Sequence, residues 1–141
     1  MLFRSMLLIH NVKATKEDIA TIEQHFTNGV YWVLCPESNR FISRTEPPVE
    51  TLRNAGVKIA IGTDSLASAR HLSMVENMRL LGDIPLDELL IWATRNGAEA
   101  LGLEASLGDI RVGTTPGIVV IEGADLQNMR VTDQTRSRRI I

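Results

Sequence analysis

The alternation of short apolar runs with helical segments constrains the fold of this chain most strongly. Three runs of mainly apolar, β-prone residues lie at positions 6–9, 30–34 and 57–61, and each is too short for a core helix. Segments with helical spacing separate them, so that strand and helix alternate along the chain. This alternation predicts βαβ units, in which parallel strands are joined by right-handed crossovers. We therefore expect the three runs to form adjacent parallel strands in chain order.

The segments between and after these runs carry the start and stop signals of helices. Thr15 and Asp18 form the pattern of a helix N-cap with a capping box, and this helix is expected to end near residues 28–29 with a glycine C-cap. Pro36 predicts a loop at 35–39, because proline cannot donate to a strand ladder. Further helices are expected at 49–54, 73–81, 86–93 and 94–101, and short strands at 110–112 and 118–121.

The number of residues limits the possible architectures. A chain of 141 residues is a common size for one domain. Three successive strand–helix units fit either a doubly wound sheet or part of a (β/α)8 barrel, since a full barrel needs about 250 residues. A flavodoxin-like binding domain is disfavoured, because His10 and Asn11 occupy the turn where a glycine-rich phosphate loop would follow the first strand.

Composition excludes several classes of protein. With 44% hydrophobic and 23% charged residues, the chain can bury a core and is not disordered by composition. A net charge of −2 with dispersed basic residues argues against a nucleic-acid partner, and Arg136, Arg138 and Arg139 are expected to form a solvated tail. No apolar run approaches the roughly 20 residues of a membrane span. The single cysteine, Cys35, fits a reducing compartment, so we expect a cytoplasmic protein without membrane contact.

Polar groups follow each of the three runs, and a parallel sheet gathers its functional side chains at the carboxyl ends of its strands. His10 ends the first run, Ser38 and Asn39 lie in the expected loop after the second, and Asp64 and Ser65 follow the third. Asp64 could bind a metal or take a proton from a bound water, or could cap the next turn together with Ser65. His10 could ligate a metal, hold a substrate or leaving group, or only be hydrogen-bonded at the rim. Ser38 and Asn39 could donate hydrogen bonds into a pocket or satisfy a turn.

Three further side chains could ligate a metal or act in catalysis, but their positions in the sequence give weaker support for such a role. Cys35 has no partner at ligand spacing, so we interpret it as a small, buried and inert side chain. His25 lies within the first expected helix and is predicted to be at the surface. His71 follows Asp64 in a segment that would overhang the same edge of the sheet, so a contribution from it stays open.

Six short segments, spread in order from Leu7 to Ile121, form a recognisable set. They are LLIHN, CPESN, GVKIAIGTDSLAS, LSMVENMRLL, ATRNGAEALGL and GDIRVGTTPGIVVI. Each is weak alone, but together and in this order they resemble the C-terminal half of the amidohydrolase superfamily. The resemblance is greatest to the branch that contains cytosine, guanine and thiomethyladenosine deaminases and triazine hydrolases.

This resemblance implies a particular α/β fold and division of the chain. The fold would be the C-terminal portion, about strands six to eight, of a (β/α)8 TIM barrel. Residues 1–104 would belong to this partial barrel, and residues 105–141 would form a β tail that returns to a small accessory β-sandwich.

The resemblance also implies roles for the polar groups at the strand ends. His10 matches the histidine at the end of barrel strand six, which faces the substrate. Asp64 matches the aspartate at the end of strand eight, which contacts the metal and shuttles the proton of the hydrolytic water. Ser38, Asn39 and Ser65 are expected to bind the substrate, a small nitrogen heterocycle. One divalent metal, expected to be zinc, would be the cofactor of the intact protein.

The main departure from the family pattern is an absence. The family's first metal ligands form an H-x-H motif on strand one and a histidine on strand five, and no H-x-H occurs in this sequence. Catalytic zinc needs about three protein ligands. We therefore expect a C-terminal fragment of a metal-dependent hydrolase that is inactive alone. The alternative is a degenerate, non-catalytic module for assembly or partner binding. We expect such a chain to form a homo-oligomer or to associate with the missing N-terminal part.

Overall fold

The computed structural model describes residues 5–26 and 29–141 of the chain. The elements in chain order are β1 (Met6–Ile9), α1 (Lys16–His25), β2 (Val30–Leu34), α2 (Pro36–Ile42), α3 (Val49–Asn54), β3 (Lys58–Ile61), α4 (Met74–Leu80), α5 (Leu86–Ala93), α6 (Arg95–Leu101), β4 (Val119–Glu122) and β5 (Arg136–Arg139). No helix among the described residues is long and apolar enough to cross a lipid bilayer.

The first three strands form one parallel sheet in the order β1-β2-β3. In its register Ile9 lies opposite Val33, and Val33 lies opposite Ala60. The prediction of adjacent parallel strands in chain order is therefore confirmed. Because the register is parallel, the carboxyl ends of all three strands lie at the same edge of the sheet.

One face of the sheet packs against the helices and forms the core. Trp32, Leu34 and Ile59 point from the strands into this layer, and each is at most 1% exposed. Leu52 of α3 and Leu89 of α5 are fully buried in the same core. Alternation along each strand explains this, since residues two apart share a face. The core fixes the sheet against its helices and so fixes the positions of the strand ends.

The other face of the sheet is only partly covered. Tyr31 is buried there, and its hydroxyl donates to Glu99 Oε2 of α6 at 3.2 Å, while Lys58 Nζ donates to the same oxygen at 2.9 Å. On β1, by contrast, Leu7 and Ile9 are 37% and 53% exposed. At the β1 side this face therefore presents apolar side chains, along a strand that pairs only with β2 among the described residues.

The predicted capping box of α1 is confirmed, but its predicted end is wrong. Thr15 Oγ1 accepts from the Asp18 amide at 3.1 Å, and the Thr15 amide donates to the Asp18 carboxylate at 2.9 Å. The helix ends at His25 with Phe26 as C-cap. Gly29 does have a positive φ of 95°, but its carbonyl accepts from the amide of residue 6, so Gly29 begins the sheet and does not end the helix. Residue 28 lies outside the described residues.

The segment after β2 is a helix, which corrects the predicted loop at 35–39. Helix α2 begins at Pro36, because proline lacks an amide hydrogen that the first turn of a helix would leave unpaired and its φ suits that turn. The free amide of Glu37 finds its partner in Asn77 Oδ1 of α4 at 3.1 Å. Proline disrupts a strand ladder only within a strand, and Pro36 lies after β2 has ended at Leu34.

The C-terminal part differs from expectation at two places. Residues 110–112 form no strand, and the side chains of Ile110 and Val112 are exposed. Strand β4 pairs antiparallel with β5, where Arg136–Arg139 were expected to be a solvated tail. All four β5 residues are exposed, so the arginines are solvated, but their backbone is ordered by the partner strand.

The exposed apolar side chains of β1 lead to a prediction of self-association. An apolar strand with an unpaired edge is a template for a second chain. We expect the chain to sediment as a dimer or larger assembly at micromolar concentration. Ile9→Lys should shift it toward monomer, because a charge would be buried in the contact. Ile42→Lys is the matched control, since Ile42 is 64% exposed on α2. A monodisperse wild-type monomer in analytical ultracentrifugation would contradict this prediction.

Candidate functional site

Side chains from three different segments meet at the carboxyl edge of the sheet. His10, directly after β1, lies with its Nδ1 2.8 Å from Asn39 Oδ1 of α2. The other ring nitrogen, His10 Nε2, is 3.6 Å from Oδ2 of Asp64, which follows β3. The structure thus brings together His10, Asn39 and Asp64, as the parallel arrangement of their strands led us to expect.

The Asp64 carboxylate is fixed by three hydrogen-bond donors. Ser38 Oγ and Ser68 Oγ donate to Oδ2 at 2.6 and 3.0 Å, and the Ser65 amide donates to Oδ1 at 2.8 Å. These bonds, with that of Ser38 the largest cause and those of Ser68 and Ser65 next, hold the pKa of Asp64 below its usual range. Asp64 is therefore an oriented anion at neutral pH, which suits a side chain that faces positive charge.

Among the described residues, five that are not glycine have a positive φ, namely His10, Asn11, Arg44, Asp64 and Met129, and three of these follow strands at this edge of the sheet. His10 has φ of 72° and the Asn11 amide bonds the Ile9 carbonyl at 3.1 Å, which together describe a γ-turn of the strained kind. Asp64 has φ of 58°. A residue other than glycine in this region costs about 1–2 kcal/mol, and such strain gathers at functional sites. The turns direct the His10 and Asp64 side chains toward each other as the chain leaves the strands.

Burial divides the predicted site residues into two groups. The side chains of His10 and Asp64 are 39% and 29% exposed, so both can contact a ligand. Ser38 and Asn39 are 0% and 1% exposed and lie behind them. Ser65 is exposed, with its hydroxyl accepting from the Ala67 amide at 3.3 Å. The predicted substrate contacts of Ser38, Asn39 and Ser65 stay predictions.

Sequence reasoning missed Ser68 and Asn77. Ser68 is 6% exposed and reaches Asp64 because its own amide bonds the Ser65 carbonyl, which turns the chain back on itself. The fully buried Asn77 ties α4 to the first turn of α2. A serine four residues after an aspartate, in a stretch with several turn-forming residues, is a signal that could have suggested Ser68. No local signal marks Asn77, because its partner lies 40 residues away.

The Cys35 thiol lies beneath the site and is inert. Cys35 is 2% exposed, and burial first and the Asp64 charge second raise the pKa of its thiol to about 11. Gly62 packs closely against it, since a Cβ at this position would lie 3.2 Å from the Cys35 sulfur, a tight contact. The structure thus supports the interpretation of Cys35 as a small packing residue.

The two remaining histidines lie away from the His10–Asp64 pair. His25 is exposed on α1, with its Nδ1 2.7 Å from the Thr21 carbonyl. His71 is exposed and lines an open groove of about 1010 Å³ together with Arg40 and Arg70. Ser68 also lines this groove, whereas His10 and Asp64 do not.

The donor atoms at this edge fit only part of a zinc site. The His10 imidazole and the Asp64 carboxylate are both zinc ligands by chemical type, and the ordered, charged Asp64 fits one ligand position. Catalytic zinc takes about three protein ligands, and no group of three histidine, cysteine, aspartate or glutamate side chains comes together within residues 5–26 and 29–141. A complete site would need ligands beyond this part of the chain.

Comparison with known proteins gives consistent matches over most of the chain. The model of the Amidohydrolase family matches residues 2–141. A 5-methylthioadenosine/S-adenosylhomocysteine deaminase of Moorella thermoacetica is 34% identical, with 83% of this chain and 29% of the relative covered. This chain therefore spans less than a third of the length of that relative.

Solved structures agree with the sequence matches. An adenosine deaminase from Xanthomonas campestris with bound zinc superposes with a TM-score of 0.71 at 30% identity, over 82% of this chain and 28% of that one. A triazine hydrolase variant gives a TM-score of 0.68 at 25% identity, over 80% and 27%. The α/β fold of this chain is thus similar to one part of these larger proteins.

The state of Cys35 predicts its reactivity. At a pH of about 8, a rise of the pKa from 9.0 to about 11 lowers the thiolate fraction of Cys35 about a hundredfold. Burial also keeps the reagent away from the sulfur. We expect iodoacetamide to modify the folded chain at least that much more slowly than the chain in denaturant. Mass spectrometry of quenched time points measures both rates. Equal rates in folded and denatured protein would contradict the buried, protonated thiol.

Proposed function

The chain belongs to the amidohydrolase family, as its sequence segments predicted, and we propose that it supplies the C-terminal strands of a barrel that hydrolyses a nitrogen heterocycle. In this proposal β1, β2 and β3 are barrel strands six, seven and eight within residues 1–104. Residues 105–141, with β4 and β5, return to an accessory β-sandwich. The observation that carries the proposal is the approach of His10 Nε2 to the charged Asp64 carboxylate at 3.6 Å.

The proposed reaction is a hydrolytic deamination. The relatives include deaminases of methylthioadenosine and of adenosine. This favours an amino-substituted, adenosine-like heterocycle as the substrate class. In the reaction, water oxygen bonds to the ring carbon that bears the amino group, the carbon–nitrogen bond breaks, and ammonia leaves. A triazine with another leaving group is the neighbouring possibility, since triazine hydrolases share the fold.

The chain's own residues would move the protons and hold the reacting groups. A divalent metal, when bound with Asp64 as one ligand, would lower the pKa of the hydrolytic water. Asp64 would take a proton from this water and pass it toward the leaving nitrogen. Because the pKa of Asp64 is low, its carboxylate is a weak base, and it would accept a proton only from a water that is more acidic than bulk water. His10 would stabilise the attacked ring or the leaving group from the adjacent strand end.

Removing the Asp64 charge tests the mechanism in the intact protein. We expect Asp64→Asn to lower kcat by about 10²–10⁴, because an amide cannot take the proton, and the fold to be retained. Steady-state kinetics with adenosine and methylthioadenosine measure the effect, and circular dichroism checks the fold. Asp87→Asn on the exposed first turn of α5 is the matched control and should keep wild-type rates. Wild-type turnover by Asp64→Asn would remove Asp64 from the mechanism.

The chain of 141 residues by itself should be catalytically silent. Two donors hold zinc weakly when about three are needed, so we expect less than stoichiometric zinc after dialysis and no turnover. Metal analysis and ammonia-release assays with amino-purines, amino-pyrimidines and triazines provide the two measurements. The intact protein, assayed in parallel, is the positive control. Stoichiometric zinc with turnover by the chain alone would contradict the proposal that other strands complete the site.

A further inference from the structure

Asn39 is a fully buried polar side chain whose only described side-chain partner is His10. It is 1% exposed, and its Oδ1 lies 2.8 Å from His10 Nδ1. We propose that Asn39 is a positioning residue that holds neutral His10 in the tautomer with the proton on Nδ1. The catalytic meaning of this inference rests on the proposed function, whereas the tautomer itself is a property of this chain.

The hydrogen-bond chemistry of an amide oxygen determines the tautomer. A carbonyl oxygen only accepts, so the His10 nitrogen facing Asn39 Oδ1 must be the donor. In a neutral imidazole the second nitrogen then carries a lone pair. The structure therefore assigns the proton of His10 to Nδ1 and leaves Nε2 as an acceptor on the side of Asp64.

The position of the acceptor is set by rigid surroundings. The Asn39 backbone is held within α2, since its amide bonds the Cys35 carbonyl at 2.9 Å and its carbonyl accepts from the Ser43 amide at 2.9 Å. Asn77 anchors the first turn of this helix at Glu37. His10, by contrast, stands on a strained turn and is partly exposed. A buried acceptor on an anchored helix is suited to fix a ring that its own turn leaves accessible to water.

The tautomer decides what the site can accept. With a proton on Nε2, His10 would donate to Asp64 Oδ2, which lies 3.6 Å away, and the two side chains would bond to each other and not to a ligand. With the proton on Nδ1, two acceptors face each other at 3.6 Å, and a donor group placed beside them can bond to both. Water and an exocyclic amino group are donors of this kind. Asn39 would thus keep the edge open to the two reactants of a hydrolytic deamination.

Nitrogen NMR of the chain tests the assignment without any activity. In a His25→Gln, His71→Gln chain labelled with ¹⁵N-histidine, only His10 contributes ring signals, and the spectra are recorded at rising pH until the ring shifts no longer change. Removing His25 matters, because its Nδ1 also lies 2.7 Å from a carbonyl oxygen. We expect long-range ¹H–¹⁵N correlations of a protonated Nδ1 and an unprotonated Nε2.

Two substitutions at Asn39 separate positioning from packing. Asn39→Leu keeps the branched shape of the side chain, although it is bulkier, and removes the acceptor, so the Nδ1–H signal should be lost in favour of Nε2–H. Asn39→Asp keeps an acceptor oxygen and should retain Nδ1–H. Circular dichroism reports whether each variant folds. If Asn39→Leu does not fold, the spectra of the wild-type chain and of Asn39→Asp still show whether Nδ1 carries the proton.

Specific results would overturn the inference. An Nε2–H tautomer in the wild-type chain would mean that the Asn39 amide is turned and donates its nitrogen. Persistence of Nδ1–H in a folded Asn39→Leu variant would mean that another group sets the tautomer. Failure of the proposed function appears separately, as an intact protein that releases no ammonia from any of the heterocycles, and it would leave these spectra unchanged.

Discussion

The parallel pairing of β1, β2 and β3 is the constraint on which the rest of the structure depends. Parallel register places Ile9, Leu34 and Ile61 at one edge, so that whatever follows each strand emerges on the same side. The buried layer of Trp32 and Leu89 holds the helices that connect the strands. A register slip of one residue in any strand would turn its apolar side chains out of this layer. The polar residue that follows the strand would then point in another direction.

The site combines unfavourable local features with a well-packed support. His10 and Asp64 adopt left-handed backbone conformations, and Asn39 and Ser38 bring polar atoms into the interior. Ser38 Oγ is satisfied by Asp64 and Asn39 Oδ1 by His10, whereas Asn39 Nδ2 has no hydrogen-bond partner among the described residues. The contacts of Ser38 and of Asn39 Oδ1 also orient the exposed Asp64 and His10, so the stability of α2 and the geometry of the site are linked.

Local patterns were sufficient for the three parallel strands and for the position of His10 and Asp64 at their carboxyl ends, because each of these is determined by its immediate neighbours in the chain. The capping box of α1 is local in the same sense. What local patterns missed depends in part on distant partners: β5 pairs with β4, and the first turn of α2, which begins at Pro36, is held by the bond from the Glu37 amide to Asn77. The burial of Asn39 also follows from packing with distant residues. A buried Asn39 can orient His10, whereas the sequence predicted a direct contact with the substrate.

The proposed function depends most on Asp64 being one ligand of a metal site that other strands would complete. A crystal structure of the intact protein grown with zinc, with anomalous diffraction at the zinc edge, tests it most directly. The account predicts an anomalous peak about 2.0–2.2 Å from an Asp64 carboxylate oxygen, with the remaining ligands outside this chain's described residues. A peak far from Asp64, with its carboxylate bonded only to Ser38, Ser65 and Ser68, would contradict the account.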